Sequence, residues 1–222
     1  MAGKRHVVIF VEGDTDKLFF DRLVQYYRQT SSVPIASCEV RNMHGVSRYS
    51  SKLAGKLKGQ IIPSAVRKGM EVQAVCCSYD TDVFEYAERP VVDWSRVAAE
   101  VGRLGIREFC EVKVEQMMED WLLDDLKGVC GYLKLKKMPA SVKGSNGFER
   151  ILNLYKQANN VYVKGLGAGP LIAALDMGVI RAKRKAALEE LERMLGVRIV
   201  DRFITTPGGG AACGPRGGSP EG

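Results

Sequence analysis

The stretch Arg5-His6-Val7-Val8-Ile9-Phe10-Val11-Glu12-Gly13-Asp14-Thr15-Asp16 decides the fold. Residues 6–11 form an unbroken β-branched and aromatic run, the pattern of a strand covered on both faces. Glu12-Gly13 interrupts it, Asp14 or Thr15 offers an N-cap, and Asp16 suits the first turn of a helix. Phe19, Leu23 and Tyr26, beside Phe20, Val24 and Tyr27, then supply that helix with an apolar side. Strand, turn and amphipathic helix in this order open an α/β fold.

The same grammar repeats downstream. A short strand is expected near residues 36–40, with a turn at His44-Gly45. A helix then runs from Ser47 towards Ile61, with Tyr49, Leu53 and Leu57 on one side and Pro63 limiting it. Residues 72–77 read as a second buried strand that ends in Ser78-Tyr79-Asp80-Thr81-Asp82. Asp93 precedes a helix over 94–104, and residues 109–114 form a further strand, followed by a helical stretch over 115–127. This alternation predicts a Rossmann-like α/β domain with a mostly parallel sheet over residues 1–130. A mainly helical C-terminal extension, 131–206, has helices near 148–155, 170–176 and 186–195 and a last strand near 197–204. Residues 207–222 hold ten Gly or Pro in sixteen and read as a disordered tail.

Composition narrows the function classes. The 222 residues are 45% hydrophobic and 27% charged, enough for a real core. The longest apolar runs are too short to cross a bilayer, and no leader with a cleavage site opens the chain, so a cytoplasmic, non-membrane protein is expected. Six cysteines lack CxxC or Cys/His spacing, which argues against zinc and against a disulfide framework. Cys76 and Cys77 are adjacent in a strand and should face opposite ways. His6 and His44 read as structural or solvated. Gly165-Leu-Gly-Ala-Gly169 fails the GxGxxG spacing at Pro170 and reads as a loop. No GxxxxGK[ST] segment is present, so ATP hydrolysis is not written in this chain.

Net charge is +7, and it is unevenly spread. Residues 40–70 carry seven Lys or Arg and no acid, whereas 111–125 carry six acids and one Lys. Arg48, Lys52 and Lys56 form a basic stripe on one helix face. A second basic run, with Arg181, Lys183 and Arg184, precedes an amphipathic helix, where cations oppose the dipole. Both stripes suggest a phosphate polymer as partner, against the plainer reading of solvated helix faces.

The chemistry concentrates where strands end. Glu12 follows the first strand, and Asp80 and Asp82 follow the strand of residues 72–77. In open α/β sheets that edge delivers residues into a shared crevice. Acids converging there repel unless a cation intervenes, and hard oxygen donors favour Mg²⁺ or Mn²⁺. The plainer readings are a helix start for Asp14 and Asp16 and an Asx turn for Asp80-Thr81-Asp82.

Val11-Glu12-Gly13-Asp14-Thr15-Asp16 followed by Phe19-Phe20 resembles the first motif of the Toprim superfamily, and Asp80-Thr81-Asp82 is similar to its Asp-x-Asp motif. The two stand 68 residues apart, each on a strand end, within residues 5–125. Toprim domains occur in primases, topoisomerases, recombination proteins and nucleases of the OLD (overcoming lysogenization defect) family. The Glu-x-x-x-Asp form of the OLD-type nucleases is matched by Glu12 and Asp16, and Glu119 is the candidate for a further acid after the next strand. Glu119-Asp120-Trp121-Leu122-Leu123-Asp124-Asp125 also resembles a stretch of small stand-alone Toprim-like proteins of unassigned function, which tend to carry a later Tyr-x-Lys, here Tyr162-Val163-Lys164.

The resemblance implies Mg-dependent phosphodiester hydrolysis on DNA or RNA, in defence or repair. The implied metal ligands are Glu12, Asp16, Asp80, Asp82 and Glu119, with Glu12 alternatively a general acid or base. Lys164 would neutralise developing phosphate charge. Use of one or of two cations stays open. An OLD-like role would need a separate ATPase partner, or none. The alternative is a non-catalytic nucleic-acid- or partner-binding module that has kept the scaffold.

Overall fold

The computed structural model describes residues 3–85 and 91–199. Its centre is a four-stranded, all-parallel sheet of β1 (Lys4–Val11), β2 (Ser37–Asn42), β3 (Met70–Asp80) and β4 (Glu108–Val114), in the order β2-β1-β3-β4. The fold is the α/β class expected. The chain leaves β1 towards β2 and then crosses back to place β3 on the other flank of β1. Strand order therefore reverses between β1 and β3, the point at which a crevice opens beyond the strand ends.

Alternation along the strands builds a core on each face. Val7, Ile9 and Val11, with Cys76 and Val112, face one side; Val8 and Phe10, with Val75 and Cys77, face the other. Double coverage explains the unbroken apolar run of β1, all of it from Val7 to Val11 fully buried. On the first face lies α1 (Asp14–Thr30), which buries Phe19, Phe20, Leu23 and Tyr27. The C-terminal helices join it there: α6 (Met118–Leu122), α7 (Leu126–Tyr132), α8 (Gly147–Gln157), α9 (Gly169–Ala174), α10 (Met177–Lys183) and α11 (Lys185–Leu195). On the second face lie α2 (Arg48–Lys56), α3 (Ile62–Arg67) and α5 (Trp94–Arg103), with α4 (Asp82–Glu85) just after β3.

Five details differ from expectation. Pro63 does not end the helix that begins at Arg48; a π-helical turn, Leu57–Ile61, carries it on into α3. Buried Tyr49, Leu53, Leu57, Ile61 and Ala65 recur every four residues, so on an ordinary α-helix they would drift round the axis. The wider turn returns them to the core and leaves Pro63 at the start of α3, where its missing N–H is tolerated. The N-cap of α1 is Gly13, not Asp14 or Thr15. The helical stretch after β4 continues through Gly128 to Tyr132. Helix α10 was not expected, although Asp176 caps it by accepting from the amides of Gly178 and Val179. Residues 197–199 are not in a strand, and the rest of the expected last strand and the Gly/Pro-rich tail lie outside the described residues. No single described helix is long and apolar enough to cross a membrane.

Candidate functional site

Parallel pairing of β1 with β3 brings Glu12 beside Asp80, and the backbone amide of Asp80 donates to Glu12 Oε2 at 3.4 Å. A loop from the end of β2 closes over the other side of Glu12. The Gly45 amide donates to the Glu12 carbonyl at 3.0 Å, and the Val46 amide bonds its side chain. The Asp80-Thr81-Asp82 turn is stitched to the end of β4. Thr81 N donates to Val114 O, Asp82 N to Gln116 O, and Gln116 N to Thr81 Oγ1 at 2.8 Å. Gln116 adopts a left-handed backbone (φ 62°) to make this last bond.

Asp16, in the first turn of α1, is buried, as is Glu119 in the first turn of α6. Burial raises the pKa of Asp80 to about 9, helped by the negative charges of Asp16, Glu12, Asp82 and Glu119. Asp16 is pushed up to about 7 by burial, with Glu12 and Glu119 adding to it. Glu12 is raised as well, by burial and by Asp82. The expected five acids are thus electrical neighbours in one crevice.

Two groups from the C-terminal region reach the same place. Lys164 Nζ lies 3.2 Å from Glu119 Oε1 and 4.6 Å from the centre of the Phe148 ring. Tyr162 donates its hydroxyl to the same Glu119 oxygen at 3.2 Å. The loop that carries them is tied to α1 by the Gly165 amide, which donates to Thr15 Oγ1 at 2.8 Å. Gly165 takes the left-handed conformation (φ 72°) that lets the chain turn there. Tyr162 and Thr15 escaped the sequence reading as site residues. The Tyr-x-Lys spacing was the only signal for the first.

Most buried polar groups in a folded chain have partners. Here Oδ1 of Asp16, of Asp80 and of Asp82 are all buried without a hydrogen-bond partner. Three carboxylate oxygens left this way at one sheet edge are a costly arrangement, about 1–3 kcal/mol each. An all-oxygen donor set with orphaned buried atoms fits a hard divalent cation such as Mg²⁺ or Mn²⁺. Among the described residues no three His, Cys, Asp or Glu side chains already close on one metal position. The acids are neighbours whose oxygens stop short of a common centre.

Other acids of the same segment have ordinary work. Asp125 caps α7 by accepting from Gly128 N at 2.9 Å and takes the Asp176 amide at 2.8 Å. A Cβ at position 128 would stand 2.0 Å from Asp125 Oδ2, so the cap also requires glycine there. The two basic stripes diverge. Arg48 and Lys52 are exposed, and Lys56 is half-buried with its amine on the Asn42 carbonyl at 3.0 Å. Arg181 is buried in a bidentate pair with Glu192, at 2.7 and 2.9 Å, and so is structural and not turned towards a polymer. Arg184 pairs with Asp124 (2.5 Å) and Glu115 (3.1 Å) over the Trp121 ring, and Lys183 donates to Asp124 O. Sequence alone could not foresee these pairings, because the acids lie 11 to 69 residues away.

No protein-family profile and no curated protein sequence matches the chain. Solved structures of the C-terminal region of the OLD protein of Xanthomonas campestris pv. campestris are similar to it. The forms phased with mercury and with platinum each show 17% identity and a TM-score of 0.41 over 86% of this chain, covering 96% and 93% of theirs. The iodine-phased form shows 14% identity and a TM-score of 0.39. A likeness of this order carries no information about chemistry.

Proposed function

We propose that this protein hydrolyses phosphodiester bonds of DNA or RNA with a divalent cation, Mg²⁺ or Mn²⁺, held by the carboxylates of the β1/β3 crevice. The observation that supports this most is the set of three buried, unpartnered oxygens on Asp16, Asp80 and Asp82. Glu12, Asp16, Asp80 and Asp82 would hold the cation. Glu119, already shared between Lys164 and Tyr162, would complete the set from α6. When bound, the cation supplies Lewis-acid polarisation of the phosphoryl oxygen and a lowered pKa for water.

The chain's own residues do the rest. Burial and the neighbouring acids raise Asp80 to about 9, so it would hold a proton at neutral pH without metal and would exchange it for a bound cation. Glu12, held in place by the amides of Asp80 and Val46, is alternatively the group that would take a proton from attacking water, leaving the cation to the aspartates. Lys164, half exposed at the crevice, can meet the charge that develops on the phosphate while its ammonium rests over the Phe148 ring. Any ATP-driven step would belong to a separate ATPase.

The test is incubation of labelled single- and double-stranded DNA and RNA with Mg²⁺, Mn²⁺ or EDTA, alongside Asp80→Asn. Cutting that needs the metal and vanishes in the variant supports the reading. A second reading, a module that holds nucleic acid without cutting it, is favoured by the exposed Arg48 and Lys52 on α2, which could bind phosphate without the carboxylates. It predicts binding that is indifferent to EDTA and to Asp80→Asn, with no cleavage under any condition.

A further inference from the structure

On the flank of the carboxylate crevice is a cleft of about 640 Å³ between the first turns of α1, the end of β2, the π-helical turn and α3. Lys17, Arg41, His44, Lys56 and Arg67 line it, together with Asn42. The loop after β2 is the partition between the two: Gly45 and Val46 hold Glu12 on one side, while Asn42 and His44 face the cleft on the other. We propose that this cleft seats the sugar-phosphate backbone of a nucleic-acid strand whose neighbouring phosphodiester lies at the carboxylates. The inference rests on the proposed function and names the surface that delivers its substrate.

Three observations carry it. First, positive charge is gathered here without matching acid. Lys56 and Arg67 have no acidic partner among the described residues, and the ion pairs of Lys17 with Asp21 and of Arg41 with Glu39 are exposed and readily exchanged for phosphate. The one acid in the wall, Asp14, is covered by the Asn42 amide at 2.6 Å. Second, the cations crowd one another. Lys56 is held below the usual lysine range by partial burial and by Arg48, Arg41 and Lys52, with no acid opposing them. An anion in the cleft would relieve that repulsion.

Third, the charge continues past the cleft. Arg48 and Lys52 are exposed on the same α2 as Lys56, so the cations form a track and not a single point. A lone phosphate needs two or three such groups; a polymer uses them all. The helix dipole accounts for Arg67 in the last turn of α3 but not for Lys17 or Arg41. Gly59 and Gln60 of the π-helical turn also line the cleft, and the widened turn sets their exposed backbone into its wall.

The experiment is fluorescence anisotropy of 5′-labelled 20-nucleotide DNA and RNA strands in EDTA, from 50 to 200 mM salt. The proteins are the wild type and Arg41→Gln/Lys56→Gln/Arg67→Gln. A control, Lys134→Gln/Lys136→Gln/Lys137→Gln, removes the same charge from exposed positions beyond α7, in the layer on the other face of the sheet. The expected result is at least tenfold weaker binding in the cleft variant, a salt slope reduced by about 2 to 3, and a control near wild type. Arg41→Lys/Arg67→Lys should retain the slope, and thermal midpoints confirm that all variants are folded.

Equal losses in the cleft variant and the control, no loss in the cleft variant, or competition by inorganic phosphate as effective as by the strand would each overturn the proposal. The two readings fail separately. Cleft-dependent binding with no cutting in Mg²⁺ or Mn²⁺ sinks the nuclease reading and leaves the cleft. Undiminished cutting by the cleft variant at low substrate sinks the cleft alone.

Discussion

Two regions of this molecule bury carboxylates, and they do so in opposite ways. Around α7, α10 and α11 the buried charges are partnered: Arg181 is forked on Glu192, which also accepts from Tyr27, and Asp125 takes two backbone amides. At the β1/β3 crevice, Asp16, Asp80 and Asp82 each keep an oxygen that nothing satisfies. The residue types are the same. The difference teaches that completed pairs hold the fold, while the incomplete set costs it stability, a cost that the proposed cation would offset.

Substitution on each side breaks or sharpens this contrast. The largest effect expected is on activity: Asp80→Asn should lower cleavage by about 10³-fold or more, the order seen when a group that stabilises transition-state charge is removed. The same change should leave the metal-free protein as stable as wild type or more so, because it removes the cost of protonating Asp80 on folding. A thermal melt in EDTA beside the cleavage assay checks both, and a large loss of stability would break the contrast.

Glu192→Ala should do the reverse. It strands a buried guanidinium and should cost about 3–5 kcal/mol in denaturant unfolding, with cleavage per folded molecule unchanged. Asp125→Ala removes a cap and uncovers the Asp176 amide, for about 1–3 kcal/mol. Loss of cutting out of proportion to loss of folded protein in either variant would erase the distinction between the regions.

A subtler effect is on the pH dependence of stability. Asp80 is raised from its ordinary 3.8 to about 9 and Asp16 to about 7, so between these limits the folded state binds more protons than the unfolded one. The stability of the metal-free protein should therefore fall as pH rises from about 4 to about 9, and divalent cations should restore most at the alkaline end. Melting temperatures in EDTA and in Mn²⁺ across that range test the sign. A metal-free stability that climbs with pH through this window would be the wrong sign.

The sheet and the ends of its strands were legible in the sequence because they depend on local pattern. Residues 6–11 and 72–77 could only be strands buried on both faces, and turn residues marked where they stop. Glu12, Asp80 and Asp82 were legible as site candidates for the same reason. What was not legible depends on long-range partners. Arg181 and Lys56 look alike in sequence, yet one meets Glu192 and the other a backbone carbonyl among neighbouring cations. The π-helical turn at Leu57–Ile61 follows from a four-residue apolar spacing that was visible, and Pro63 was weighed too heavily against it. The cleft is assembled from three separate segments, so no short window of sequence contains it.

The most direct measurement is titration calorimetry of Mn²⁺ into the wild-type protein and Asp80→Asn at pH 7.5, in two buffers of different ionisation heat. With Asp80 raised to about 9 and Asp16 to about 7, wild type should bind Mn²⁺ with release of about one proton per ion or slightly more, and the variant should bind weakly and release only the small fraction held by Asp16. Absence of binding, or identical binding and proton release in both proteins, would contradict the account of an incomplete carboxylate set that awaits a cation.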